Sequence, residues 1–278
     1  MNKFKLYAAS LLITGLAAGC AKSVEPENQH PQQIVLCVGD DTIDMDVQTK
    51  TTAITAIPSS LNFSVTTGAS GGSETTKIAS ASVSLSDGKI ATGLYQTVSP
   101  TTYKYYVSNL PITFAASGST VSASNATDVI AGTVTSSSTS PSVTLDHIFA
   151  RTGTLTLKTQ DDYVLSKVSW SIASSTGGTA GTYNIAKKTW SSLTSLASTS
   201  ITGSSDMYLV PGSYTLTVSY TLTKGDWTQS FTKKASVTLV GGKINNISGT
   251  ASGGAASAIS LTVSLTPWEN TDITADFK

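Results

Sequence analysis

The sequence predicts an all-β chain folded as two antiparallel β-sandwich domains in tandem, and three observations lead there. Apolar and polar residues alternate with a period of two over many short segments, as half-buried strands require. Serine and threonine make up roughly three in ten residues while only 12% are charged, so the solvated faces carry hydroxyls, and the β-branched threonine suits a pleated surface. Beyond the first twenty residues no segment holds apolar positions at helical spacing over three turns, and no solenoid period appears. The remaining length suits two sandwiches of about 100 residues each.

Residues 1–20 read as a lipoprotein signal peptide. Met1-Asn2-Lys3-Phe4-Lys5 is a short basic start, and the apolar run from Leu6 to Leu16 is too short to anchor in a bilayer. Leu16-Ala17-Ala18-Gly19-Cys20 resembles a lipobox, which makes Cys20 the lipidated residue and the outer membrane the predicted anchorage. The alternative is an ordinary secretory signal cut near Ala17-Ala18-Gly19. With Cys20 lipidated, Cys37 is the only thiol left, so stability rests on core burial instead of a disulfide. Residues 21–33, running through Glu25-Pro26-Glu27-Asn28-Gln29-His30-Pro31, have almost no apolar content and read as a tether.

The first sandwich is expected over residues 34–148. Ile34-Val35-Leu36-Cys37-Val38 is an apolar strand, Gly39-Asp40-Asp41 a turn, and Ile43, Met45 and Val47 alternate with aspartates and are expected to face inward. Residues 48–53 form a polar break before the alternating Leu61-Asn62-Phe63-Ser64-Val65, and the glycine-rich stretch 68–73 is a loop. Further strands are expected at 79–85, 103–107, 128–131 and 143–151, with a polar tract at 135–140.

The second sandwich is expected over 149–278. Val168, Trp170 and Ile172 share a phase, as do Tyr214, Leu216, Val218, Tyr220 and Leu222. Lys224-Gly225-Asp226 closes a hairpin onto a partner strand from Trp227 to Val240, and Gly241-Gly242-Lys243 is a further turn. The chain ends on Leu261, Val263 and Leu265, then Pro267-Trp268, then Ile273, Ala275 and Phe277.

Several function classes recede. Lys+Arg and Asp+Glu number 17 each, which leaves no basic patch for nucleic acid. His30 falls in the tether and His147 on a core strand, where it reads as structural, so neither a metal nor any cofactor is expected. Asp40-Asp41 and Asp161-Asp162 lack calcium-loop spacing and read as turns. Gly68-Ala69-Ser70-Gly71-Gly72 fits G-x-S-x-G formally but sits in a Gly/Ser tract with no helix after it. The scattered carboxylates lack the aromatic surroundings of a glycosidase cleft, and no catalytic residue is expected. Of four tryptophans, Trp170 is core by phase, which leaves Trp190, Trp227 and Trp268 as candidates for sugar stacking.

Four features in order resemble the fimbrillins of Bacteroidetes, the fimbrial subunit families and their Mfa-like relatives. They are the lipobox at Cys20; Thr49-Lys50-Thr51-Thr52-Ala53-Ile54 ahead of the Leu61 strand; Asp128-Val129-Ile130-Ala131 followed by the segment 143–151; and Val210-Pro211-Gly212-Ser213-Tyr214 followed by Val237-Thr238-Leu239-Val240-Gly241-Gly242-Lys243 and Pro267-Trp268. The resemblance implies a structural pilus subunit with two transthyretin-like sandwiches, exported as a lipoprotein precursor to the cell surface. It also implies a maturation protease, other fimbrial subunits as partners, and adhesion to a host or bacterial surface receptor. In that family an arginine-specific protease removes the first strands and a neighbour's strand fills the groove. Lys50, followed by Thr51, stands where the cleaved arginine would be. Residues 34–50, with Ile34, Leu36, Val38, Ile43, Met45 and Val47, are then the removable pro-strand. Leu261, Val263, Leu265, Ile273, Ala275 and Phe277 are the donor-strand candidates, having alternating apolar side chains at strand spacing. The rival reading is a monomeric surface lipoprotein that binds a glycan or host ligand.

Overall fold

The structure, a computed structural model, describes residues 32–40, 60–67, 77–84, 89–96, 102–138, 140–159, 162–202, 207–251 and 260–267. Among these residues the regular elements are all strands. The first nine are β1 (Gln32–Asp40), β2 (Ser60–Thr67), β3 (Lys77–Ser84), β4 (Lys89–Gln96), β5 (Tyr103–Ser108), β6 (Ile112–Thr113), β7 (Thr120–Ser124), β8 (Ile130–Ser136) and β9 (Ser142–His147). Seven of them form one hydrogen-bonded path in the order β3-β2-β5-β8-β9-β1-β4.

That path curls over an apolar cluster. Ile34 and Leu36 from β1, Leu61, Phe63 and Val65 from β2, Tyr105 and Val107 from β5, and Val143 and Leu145 from β9 meet inside it, each member of a group two residues from the next, as strand pleating dictates. The corner of the fold lies between β8 and β9, which pair only at Ile130↔His147 and Ala131↔Asp146. Just past it, a Cβ on Gly132 would sit 1.9 Å from the Thr144 carbonyl oxygen, so only glycine lets the two backbones pass. Asn109 pins the same corner, accepting from the Ile130 N–H at 3.0 Å and donating to the Asp128 carbonyl at 2.9 Å.

The second part holds β10 (Ala150–Thr159), β11 (Val164–Asn184), β12 (Thr189–Ile201), β13 (Tyr208–Leu209), β14 (Gly212–Lys224), β15 (Trp227–Leu239), β16 (Lys243–Ala251) and β17 (Ser260–Pro267). A four-stranded sheet runs β13-β10-β16-β17; a six-stranded sheet runs β15-β14-β11-β7-β6, with β12 pairing β11 off this path. Between them lies a second cluster that includes Leu155, Trp170, Ile172, the alternating Tyr214, Leu216, Val218, Tyr220 and Leu222, and Ile247. The predicted hairpin is present: Lys224 pairs with Trp227 across a two-residue turn whose Gly225 has φ 57°, a left-handed conformation suited to glycine. The hydroxyl coat also forms, with Ser219–Thr232 and Thr221–Ser230 hydroxyl pairs each at 2.9 Å across β14 and β15. Buried Asn245 spends its amide on the carbonyls of Arg151, Val240 and Lys243 and accepts from the Val240 N–H, tying β10 to the turn before β16.

Val168 departs from its expected phase with Trp170 and Ile172. It is 39% exposed because the β11–β14 register shifts between Ser166 and Ser169, where Lys167 has φ 53°, and that bulge breaks the two-residue alternation. The far half of β11 also leaves the second cluster, and residues 180–184 pair with β7. A third cluster forms there from residues on both sides of position 148, among them Tyr106, Val121, Ala131, Ile148, Phe149 and Tyr183.

Candidate strand-exchange site

A strand is internal to a sheet when neighbours pair with both its flanks. β1 meets that condition. On one side it runs parallel to β9, with Cys37↔Ser142 through Asp40↔Leu145; on the other it runs antiparallel to β4, with Gln32↔Gln96 through Cys37↔Lys89. It is an internal strand, and β4 is hydrogen-bonded to β1 alone among the described strands. Ile34 and Leu36 are 0% exposed and reach the first cluster, where burial of each side chain stabilises by roughly 1.5–3 kcal/mol.

The β1–β4 ladder contains one irregularity. Gln33 pairs with Tyr95 and Val35 with Ala91, so Ile34 alone faces Thr92, Gly93 and Leu94. Gly93 takes φ 72° at this bulge, and the hydroxyl of Thr92, a residue 5% exposed, donates to the Ile34 carbonyl at 2.8 Å. A backbone acceptor displaced from the ladder is thereby satisfied by a side chain.

Leu261, Val263 and Leu265 lie on β17, the edge of the four-stranded sheet, which pairs with β16 from Thr250↔Ser260 to Lys243↔Pro267. Of its described side chains, Val263 is half-buried against the second cluster, Thr262 and Ser264 are exposed, and Leu265 is 49% exposed. Pro267, which has no N–H to donate, stands at its end. The structure thus places Ile34, Leu36 and Val38 on β1, and Leu261, Val263 and Leu265 on β17, in separate sheets. Cys20, Ile43, Met45, Val47, Lys50, Thr51, Ile273, Ala275 and Phe277 lie outside the described residues, as do the signal peptide and the tether up to Pro31.

Other places where chemistry was sought are structural. His147 Nδ1 lies 2.7 Å from the Asp128 carboxylate. Trp190 packs on Phe149 and Tyr183 at 5.0 and 5.2 Å between ring centres, inside the third cluster. Trp227 is 38% exposed and touches Tyr163 and Phe231 edge-on or tilted, while Trp268 lies outside the described residues. A shallow cavity of about 190 Å³ is lined by Gly132, Thr144, Tyr183 and the Lys188–Asp146 ion pair. Burial first, and the Asp146 carboxylate second, push the Tyr183 phenol up to about 12, so it stays neutral there. No group of three metal-ligating side chains occurs among the described residues, and no helix there is long and apolar enough to cross a membrane.

Comparison with solved structures places this architecture. A candidate cell adhesion protein of Parabacteroides distasonis ATCC 8503 matches over 85% of this chain and 97% of its own, at TM-score 0.57 and 10% identity. The chain shares the fold of that protein. A second candidate cell adhesion protein from the same strain matches over 86% and 100% at TM-score 0.54 and 11% identity. A fimbrilin of Porphyromonas gingivalis W83 aligns over 87% and 98% at TM-score 0.47 and 10% identity, and the fold likeness is drawn from the two Parabacteroides proteins. No family model matches the sequence, and no curated protein does. Shared fold at such low identity extends to strand order and layers, not to residues in a site.

Proposed function

We propose that this chain is a structural subunit of a bacterial cell-surface fimbria, made as a lipoprotein precursor and assembled by exchange of β1 for a strand of a neighbouring subunit. The observation that carries this reading is the position of β1 between β4 and β9, with two fully buried side chains, at the start of the described chain. It is joined to β2 by residues 41–59, which include Lys50. A cut after Lys50 leaves β1 held only by noncovalent contacts. Its departure opens an apolar groove flanked by two unpaired strand edges, a template for strand addition.

β17 suits the role of donor on energetic grounds. Leaving its edge place gives up a half-buried Val263 and a half-exposed Leu265, whereas the slot buries Ile34 and Leu36 completely. The fold shared with adhesion proteins supports the same reading at the level of architecture. In it, the chain divides near residue 148 into two sandwiches, Cys20 carries the lipid that holds the precursor to the outer membrane, and the maturation protease and other subunits are the partners. The assembled fibre presents a surface for a host or bacterial receptor.

The test is processing followed by sizing. The chain from Cys20→Ser onward, cut by a lysine-specific protease, is expected to yield a new N-terminus at Thr51 and to grow into fibres visible by electron microscopy, while Lys50→Gln stays monomeric. A chain cut at Thr51 that remains monomeric sinks the exchange mechanism. It would favour the monomeric glycan-binding lipoprotein, for which the exposed Trp227 beside Tyr163 offers a stacking surface.

A further inference from the structure

The alternation of a β-strand repeats every two residues, so a regular slot accepts a donor equally well in registers that differ by two. The slot left by β1 is not regular. At one point only, opposite Ile34, the β4 edge carries extra residues, a left-handed Gly93 and a buried hydroxyl that binds one specific carbonyl. We propose that Thr92 and Gly93 form a register pin, which accepts the carbonyl of Leu261 from an incoming β17 and so aligns Leu261, Val263 and Leu265 with the places of Ile34, Leu36 and Val38. This rests on the strand-exchange reading and specifies its geometry.

The alignment follows from what each register would put where. The Thr92 hydroxyl bonds the carbonyl of a residue whose own side chain is buried in the first cluster, so one of the inward-phased donor residues must stand there. With Val263 at the pin, Pro267 falls at the place of Val38, whose partner Val143 lies within the parallel ladder to β9, an interior strand position that proline does not suit. With Leu261 at the pin, Pro267 falls at the place of Asp40, where the β1–β9 pairing ends. With Ile259 at the pin, Leu265 rather than Pro267 takes the place of Asp40, and the ladder, which starts at Gln32, would begin at Ser257, three residues before Ser260, the first residue of β17; with Leu261 at the pin it begins only one residue before it.

Disulfide trapping reads the register directly. Cys37 pairs with Lys89 across β1 and β4, within the Cα separation a disulfide spans. Three residues beyond Leu261 is Ser264, which takes the place of Cys37 in the proposed register; Thr262 and Thr266 take it in the registers two residues to either side. In the Cys20→Ser chain carrying Lys89→Cys, the unprocessed monomer forms an intrachain disulfide between Cys37 and the thiol introduced at position 89, which serves as an internal control. Fibres grown after cleavage from chains that also carry Ser264→Cys, Thr262→Cys or Thr266→Cys are then oxidised and run on non-reducing gels.

The expected result is an intermolecular ladder from Ser264→Cys at least tenfold stronger than from the other two. Thr92→Val is expected to spread cross-linking over all three positions, and Thr92→Ser to restore the single one. A dominant cross-link at position 262 or 266, or a Thr92→Val fibre still linked only at 264, overturns the pin while leaving exchange intact. Fibres with no intermolecular disulfide at any of the three positions overturn exchange by β17, and the pin with it.

Discussion

Tyr214 shows how one side chain closes several accounts at once. Its ring is a member of the second cluster, and its hydroxyl donates to the Val210 carbonyl at 2.6 Å and accepts from the Gly178 N–H at 3.0 Å. Gly177 must be glycine beneath it, because a Cβ would lie 2.7 Å from the ring. Removing the hydroxyl while keeping the ring leaves two buried backbone groups without this partner, so Tyr214→Phe is expected to cost about 1–3 kcal/mol, read from urea denaturation midpoints. Burial also pushes the phenols of Tyr105, Tyr183 and Tyr214 from 10.0 up to about 12, with the Gly178 backbone bond opposing the shift at Tyr214. Between these values the unfolded chain has lost protons that the folded chain keeps. The stability these tyrosines contribute is therefore fully present below about pH 10 and is lost as pH rises toward 12. Chemical denaturation at pH 9, 10 and 11 checks the sign: a midpoint that holds steady or rises contradicts the burial of these phenols.

Elements differ in how much of themselves the sequence displays, and β14 and β15 display most. Five inward residues in strict alternation and a Gly-Asp turn specify the hairpin without reference to anything distant. The far half of β11 is the opposite case. Its Ser-Ser-Thr-Gly-Gly-Thr-Ala-Gly stretch has no apolar rhythm, because Gly178 and Gly181 are selected by close passage against Thr194, Ser191 and Leu193 of β12. Contacts of that kind are set by the backbone of the partner strand and not by an apolar rhythm, and the pairing of β7 with β11 joins residues far apart in sequence. For the candidate site, the apolar run of β1 was legible, but its insertion between β4 and β9 was not. Thr92 is one threonine among many until the bulge identifies it. The unequal burial of β1 and β17 sets a measurable contrast: Leu36→Ala is expected to destabilise by about 2–5 kcal/mol through the cavity it leaves, and Leu265→Ala by under about 1 kcal/mol. Comparable losses from both would contradict the view that β17 is the cheaper strand to release.

At the scale of the molecule, the third cluster decides how independent the two parts are. Tyr106 of β5 and Val121 of β7 meet Phe149 and Tyr183, and Tyr183 is carried there by a strand that begins in the second cluster. Phe149→Ala is accordingly expected to cost about 3–5 kcal/mol and to lower the stability of both parts together, seen as amide exchange speeding up in β2 and in β14 alike. Acceleration confined to one side would show that the two parts open separately. β1 supplies none of the residues of this cluster, though it pairs with β9, which runs directly into Ile148 and Phe149. The most direct test of strand exchange is therefore the fate of β1 itself. Quantitative mass spectrometry of washed fibres against the unprocessed monomer measures the peptide containing residues 32–40. One copy per chain in the monomer and near none in the fibre is the predicted result; a fibre that still holds one β1 per subunit would contradict the exchange.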